Sequence, residues 1–146
     1  MSKVIDDTKG MGNKAEIVIM SEFIKHGIAV SIPFGNNEAY DLVIDTKQGF
    51  KSVQVKHGSI HNGCVLADIR HRKGYDKIKY DTYDGKVDYI AIWCEEIDSC
   101  YLIDIAECNG KTRLNLRIEA PKNNSCISTI VWAKDYVFHD KVMSLL

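Results

Sequence analysis

Apolar positions along this chain recur with two different periods. Between residues 10 and 26, Ile17, Ile19, Met20, Phe23 and Ile24 fall on one side of a wheel that advances by about 100° per residue. That spacing predicts a helix, and Lys25-His26-Gly27 supplies a basic last turn and a glycine stop. Beyond it the period shortens to two. Ile28 to Pro33 predicts a short strand with Ala29 and Ile32 turned to the core, and Gly35-Asn36-Asn37 a loop. Asp41 to Thr46 predicts a second strand, Lys47-Gln48-Gly49 a turn, and Phe50 to His57 a returning third strand. Val65 to Arg70 is a fourth, Val87 to Trp93 a strongly apolar fifth, and Tyr101 to Ile105 a partner for it. Arg113 to Ile118 alternates as a half-exposed strand does, and a short helix is expected from about Ala133. One helix, a run of strands and a terminal helix make a mixed α/β domain, a central β-sheet flanked by helices.

At 146 residues, with no repeat or linker, residues 1–146 are expected to form one domain. No apolar run approaches the ~18 residues of a membrane span. MSKVIDDTKG has no apolar core of a signal peptide, so a cytoplasmic protein with no membrane partner is expected. The formal net charge is −1, so any polyanion would have to bind through a local basic patch. The five cysteines are odd in number and include no C-x-x-C pair, and Cys94 follows the apolar run Ala91-Ile92-Trp93. They read as reduced thiols and not as a disulfide scaffold.

Polar residues interrupt the second and third strands where a core would call for apolar ones. Gln54 and Lys56 are two apart and share a strand face, with Val53 and Val55 on the other. Asp41 stands at the start of the preceding strand, where a hairpin brings it beside that pair. Glu16 lies within the apolar arc of the helix, near Ile19, Met20 and Phe23, where an unpaired carboxylate is costly to bury. Two carboxylates, an amide oxygen and a backbone carbonyl are hard oxygen ligands that suit Mg²⁺ or Mn²⁺. A lysine beside such an ion orients a water or offsets phosphate charge, which is the equipment of metal-assisted phosphodiester hydrolysis. Taken singly, each residue also has a plain reading: Asp41 as a turn residue, Gln54 and Lys56 on a solvated strand face.

The order of helix Glu, Asp and Gln-x-Lys resembles the PD-(D/E)xK nuclease superfamily, in particular its branch of small intron-encoded homing endonucleases of cyanobacterial type. The resemblance rests on Gly12-x-x-x-Glu16, Gly27-Ile28-x-Val30-x-Ile32-Pro33-x-Gly35, Tyr40-Asp41-Leu42-Val43-Ile44-Asp45 and Val53-Gln54-Val55-Lys56. It continues through Val87-Asp88-Tyr89-Ile90-Ala91, Leu116-Arg117 and Ala133-Lys134-Asp135-Tyr136. Tyr40 replaces the family's proline and Gln54 its second acidic residue; the homing branch is similar in carrying Gln-x-Lys. The resemblance implies a restriction-endonuclease-like core. It implies that Asp41, Gln54, the Val55 carbonyl and Glu16 hold Mg²⁺ or Mn²⁺, and that Lys56 positions the attacking water. The implied products are a 5′-phosphate and a 3′-hydroxyl. The implied partners are double-stranded or branched DNA and further copies of the chain, as a dimer or tetramer.

A second signal follows the hairpin. Arg70-His71-Arg72-Lys73-Gly74-Tyr75-Asp76-Lys77-Ile78-Lys79-Tyr80 interleaves basic and aromatic residues, as a phosphate-contacting loop does. Arg70, Arg72, Lys73, Tyr75, Lys77 and Lys79 are therefore DNA-binding candidates, joined by His57 and Ser59 just after Lys56. His57-x-x-x-His61 has helical metal-ligand spacing, but Gly58 and the strand context argue against zinc. His26, His71 and His139 are expected to stand apart at the surface. The alternatives are a Holliday-junction resolvase or other structure-specific nuclease, a catalytically inactive DNA-binding module, and an interaction domain without polyanion affinity.

Overall fold

The computed structural model describes residues 8–35, 37–73, 79–122 and 129–146. Helix α1 spans Thr8–Lys25. It buries a narrow stripe, Ala15, Ile19 and Phe23, spaced four apart so that they stack on one face. Ile17 and Ile24, expected on that face, are 62% and 57% exposed, because the helix meets the sheet only along that stripe. Gly27 takes a φ of +85° just beyond the last turn, a conformation that costs a side-chain-bearing residue energy, and so ends the helix.

Strands β1 (Val30–Ser31), β2 (Leu42–Thr46), β3 (Gly49–His61), β4 (Cys64–Asp68), β7 (Tyr89–Cys94), β8 (Ser99–Asp104) and β9 (Arg113–Arg117) form one seven-stranded sheet. In β1, Val30 faces Ile44 across the ladder. Ile28 shares the parity of Val30 and is buried; Ala29, expected in the core, has the opposite parity and is exposed, and Ile32, also expected there, is exposed because β1 has ended at Ser31. The third strand runs four residues past the expected end at His57.

That length organises the molecule. On one edge β3 pairs in parallel with β7, from Val53↔Tyr89 to Gly58↔Cys94. On its other edge β2 pairs as far as Leu42↔Val53, and β4 begins at Ser59↔Leu66. Between Gln54 and Gly58 that second edge is left open between two strands. Gly58 is itself buried, and a Cβ there would lie 2.8 Å from Ile92 Cγ2 and 2.9 Å from Val65 Cγ1.

Two cores pack the sheet. The first joins Ala15, Ile19 and Phe23 of α1 to Ile44, Val53 and Val55 of the β2–β3 hairpin and to Phe138. The other, on the opposite face, joins Val65, Ile90, Ile92, Ile103, Leu114 and Leu116. Strand β7 feeds both and is buried on both faces, as a central strand with a parallel neighbour must be. The chain ends in a 3₁₀ turn at Ala133–Tyr136 and helix α2, Phe138–Met143. The Phe138 ring lies 4.7 Å from that of Phe23. His26 and His139 do not stand apart: their Nε2 and Nδ1 atoms are 2.9 Å from each other, because α2 folds back against the end of α1.

The basic stretch is not a simple loop. Its flanks form a two-stranded hairpin, β5 (His71–Lys73) with β6 (Lys79–Asp81), in which Lys73 faces Lys79. Cys64, Cys94, Cys100 and Cys108 are free thiols. Among the described residues, no helix is long and apolar enough to cross a membrane.

Candidate active site

The open stretch of β3 is the floor of a cleft of about 520 Å³. Backbone alternation aims the Val55 amide and carbonyl out of the sheet on this edge. The Val55 N–H donates to Asp41 Oδ2 at 2.9 Å, and the Val55 carbonyl accepts from Gln54 Nε2 at 3.3 Å. Asp41 is held at the edge because its own N–H donates to the Val53 carbonyl at 2.9 Å, just ahead of the β2 ladder. Gln54 and Lys56 enter from the face opposite Val53 and Val55, which are buried beneath α1. Glu16 comes down from the first half of α1, four residues before the buried Met20-flanked turn, and lines the same cleft.

The two carboxylates are placed against one another. Burial, and then the adjacent Asp41 charge and a hydrogen bond to Asp41, raise Glu16 from 4.5 to about 7. Burial also raises Asp41, opposed by the Val55 N–H and by Lys56. Both carboxylates are thus raised, Glu16 in part by Asp41, and a cation between them would relieve that repulsion. Burial lowers Lys56, against the attraction of Asp41 and Asp68. Its Nζ donates to the Tyr83 hydroxyl at 3.2 Å and sits 5.1 Å from that ring's centre. Burial pushes the Tyr83 phenol up to about 12, so it stays neutral and accepts from the lysine.

The donor set fits a hard divalent ion. Glu16 and Asp41 supply carboxylate oxygens, the Val55 carbonyl points into the cleft, and turning the Gln54 amide would present its oxygen beside that carbonyl. Among the described residues, no group of three or more His, Cys, Asp or Glu side chains converges. A site here therefore combines two carboxylates with neutral oxygens.

Of the expected DNA contacts, His57 and Ser59 line the cleft. His57 Nε2 lies 3.2 Å from Glu95 Oε2, and Glu95 accepts from Lys14 at 3.2 Å, tying β3 to α1 and to the turn after β7. Arg70 is engaged already: it pairs with Asp68, and its guanidinium lies 4.3 Å from the centre of the Tyr80 ring. Arg72 is exposed on β5. Lys73 and Lys79 face each other at the end of the β5–β6 ladder. Tyr75 and Lys77 lie outside the described residues. Two charged residues lining the cleft, Asp68 and Arg113, escaped the sequence reading, as did Tyr83, which holds Lys56. Asp68 and Arg113 reach the site through the β4–β9 register, which pairs them directly. Their polar positions within alternating strands were visible, but the partner of each strand was not.

A mixed sheet backed by α1, with Glu16, Asp41 and Gln54-x-Lys56 converging at a gap in one strand's edge, defines a nuclease of the restriction-endonuclease type. The family model described as PD-(D/E)XK endonuclease matches residues 6–139, and the chain belongs to that family. Among solved structures the chain is similar to a bacterial homing endonuclease, I-Ssp6803I, with a TM-score of 0.73 and 22% identity over 94% of this chain and 95% of that one. The likeness is one of fold, and it bears out the expected restriction-endonuclease-like core. A search of the curated proteins returns no match.

Proposed function

We propose that the chain is a divalent-metal-dependent endodeoxyribonuclease of the homing-endonuclease kind, acting on double-stranded DNA in the cytoplasm. The observation that carries this reading is the meeting of Glu16 and Asp41 over the Val55 carbonyl, with Lys56 beside them.

Asp41, Glu16, Gln54 and the Val55 carbonyl would hold Mg²⁺ or Mn²⁺. When bound, such an ion lowers the pKa of a coordinated water and stabilises the charge that builds on the phosphate. Lys56, held by Tyr83 and lowered by burial, orients the attacking water and offsets phosphate charge. Asp41 keeps its orientation through the Val55 N–H, which holds its carboxylate at the cleft beside Glu16. His57, Ser59 and Arg113 line the wall along which a phosphate backbone would run. Arg70, Arg72, Lys73 and Lys79 would extend those contacts along the β5–β6 hairpin, and Tyr75 and Lys77, outside the described residues, are DNA-binding candidates by sequence alone. One chain offers one cleft, and cutting both strands of a duplex calls for a second, so a dimer or tetramer is the working form.

The test is cleavage of supercoiled, linear and four-way-junction DNA with Mg²⁺ or Mn²⁺, comparing the protein with Asp41→Ala and Lys56→Ala. Metal-dependent cutting that falls roughly 10²-fold or more in both variants supports the assignment. Cutting that survives in both would overturn it. DNA binding without cutting on any substrate would make the chain an inactive DNA-binding module, and preference for junctions over duplex a resolvase.

A further inference from the structure

Beyond the cleft, β3, β4 and β9 present a second polar surface. Their inward face is apolar: Val65, Ala67, Leu114 and Leu116 are buried in one core. Register defines the outward face. Ser59 lies opposite Leu66, which lies opposite Asn115; His61 lies opposite Cys64, which lies opposite Arg117; and Asp68 lies opposite Arg113. Ser59, His61, Asn115 and Arg113 are exposed, and Arg117 is half-buried. A groove of about 320 Å³ crosses this face between β9 and residues 129–131, with Lys111, Arg113, Asn115 and Arg117 along it. Arg113 lines both this groove and the cleft, so the two are neighbours.

The chemistry of this face is specific. Lys111, Arg113 and Arg117 line the groove; of the carboxylates at its ends, Asp68 is already paired with Arg70, and that of Glu119 lies beside Gly63 near Arg117. Arg117 gives Nη1 to the Glu119 carbonyl at 3.4 Å, and a guanidinium has five N–H donors. Asn and Arg are the side chains that bond two edge atoms of adenine and guanine at once. The five residues of β9, Arg113 to Arg117, span four steps and about 14 Å, comparable to the ~12 Å width of a B-DNA major groove, which admits a two-stranded β-ribbon.

We propose that the outward face of β3–β4–β9 is a base-reading surface, in which Asn115 and Arg117 contact base edges in the major groove of the duplex held at the cleft, flanked by Ser59 and His61. In this arrangement Arg113 and Lys111 hold the phosphates between the reading face and the cut. The proposal rests on the part of the nuclease reading that has the cleft hold duplex DNA, and not on the cut itself.

The test is binding selection from a random duplex pool with Ca²⁺ in place of Mg²⁺, using the full chain, Asn115→Ala, Arg117→Lys and Arg113→Ala, with melting temperatures measured alongside. Arg117→Lys keeps the charge and removes the bidentate fork, so it separates reading from folding and from simple attraction. The unaltered chain should enrich a defined sequence. Asn115→Ala and Arg117→Lys should each lose discrimination at one base position by roughly 5- to 150-fold. Arg113→Ala should weaken all sequences alike. An unaltered chain with no sequence preference, variant profiles identical to its own, or uniform weakening by Arg117→Lys would each overturn the proposal. Enrichment without cutting when Mg²⁺ is restored would overturn the nuclease reading and leave this one standing. Cutting with unchanged variant profiles would do the reverse.

Discussion

Gly58 allows a quantitative test of how tightly the long strand is held. It lies where β3 passes from its β2 neighbour to its β4 neighbour, and the Cβ of Gly58→Ala would fall 2.8 Å from Ile92 Cγ2 and 2.9 Å from Val65 Cγ1. Both neighbours are fully buried. Both are also β-branched, with few rotamers to escape into. Relief needs β3 to move by several tenths of an ångström, and such overpacking typically costs about 1–3 kcal/mol. In a chain of this size that corresponds to a fall in Tm of about 2–12 °C, read by thermal unfolding followed by circular dichroism. Val65→Ala, added to Gly58→Ala, removes one of the two colliding methyls. It should therefore cost less than Val65→Ala alone, a coupling of about 0.5–2 kcal/mol in a double-mutant cycle. Lys56 and His57 ride on the moving segment, so cleavage should fall further than stability accounts for. A Gly58→Ala protein with unchanged Tm and no coupling to Val65 would refute the claim that this position is close-packed.

Three further outcomes are expected. In the metal-free protein the folded-state pKa of Glu16, about 7, lies above its ordinary 4.5, so its contribution to stability is full below about 4.5 and is lost as pH rises through 7. That interval corresponds to about 3 kcal/mol, and solvent screening at a half-exposed group reduces it to roughly 1–2; Glu16→Gln should raise the metal-free Tm at pH 8 and leave it nearly unchanged at pH 4. Tyr83→Phe removes the acceptor of Lys56 Nζ, and single-turnover cleavage should slow several-fold while DNA affinity stays the same. Phe138→Ala empties the contact with Phe23 and should cost about 3–5 kcal/mol, measured by urea unfolding.

The meeting of Asp41, Gln54 and Lys56 was legible because strand alternation is local: it needs only a turn and a period of two. Where the period had to be phased by a partner, it misled. Ala29 and Ile32 were assigned inward, yet Ala29 has the opposite parity to Val30, which pairs with Ile44, and Ile32 lies past the end of the strand at Ser31. Ile17 and Ile24 satisfied the helical period, but the sheet contacts a narrower stripe than the wheel suggests. Asp68 and Arg113 reach the cleft, and Tyr83 reaches Lys56, through pairings and packing between distant segments, and no local pattern encodes these. The meeting of His26 and His139, across 113 residues, belongs to the same class.

The open edge of β3 carries a cost unrelated to catalysis. A sheet edge with free amides and carbonyls is a template on which another chain can add a strand. Here the Val55 amide is covered by Asp41 and its carbonyl by Gln54, so the proposed metal ligands also cap the edge. A protein stripped of Asp41 to abolish cutting would also gain an uncapped strand edge. Self-association, and not only lost chemistry, is then a property to expect of the inactivated enzyme.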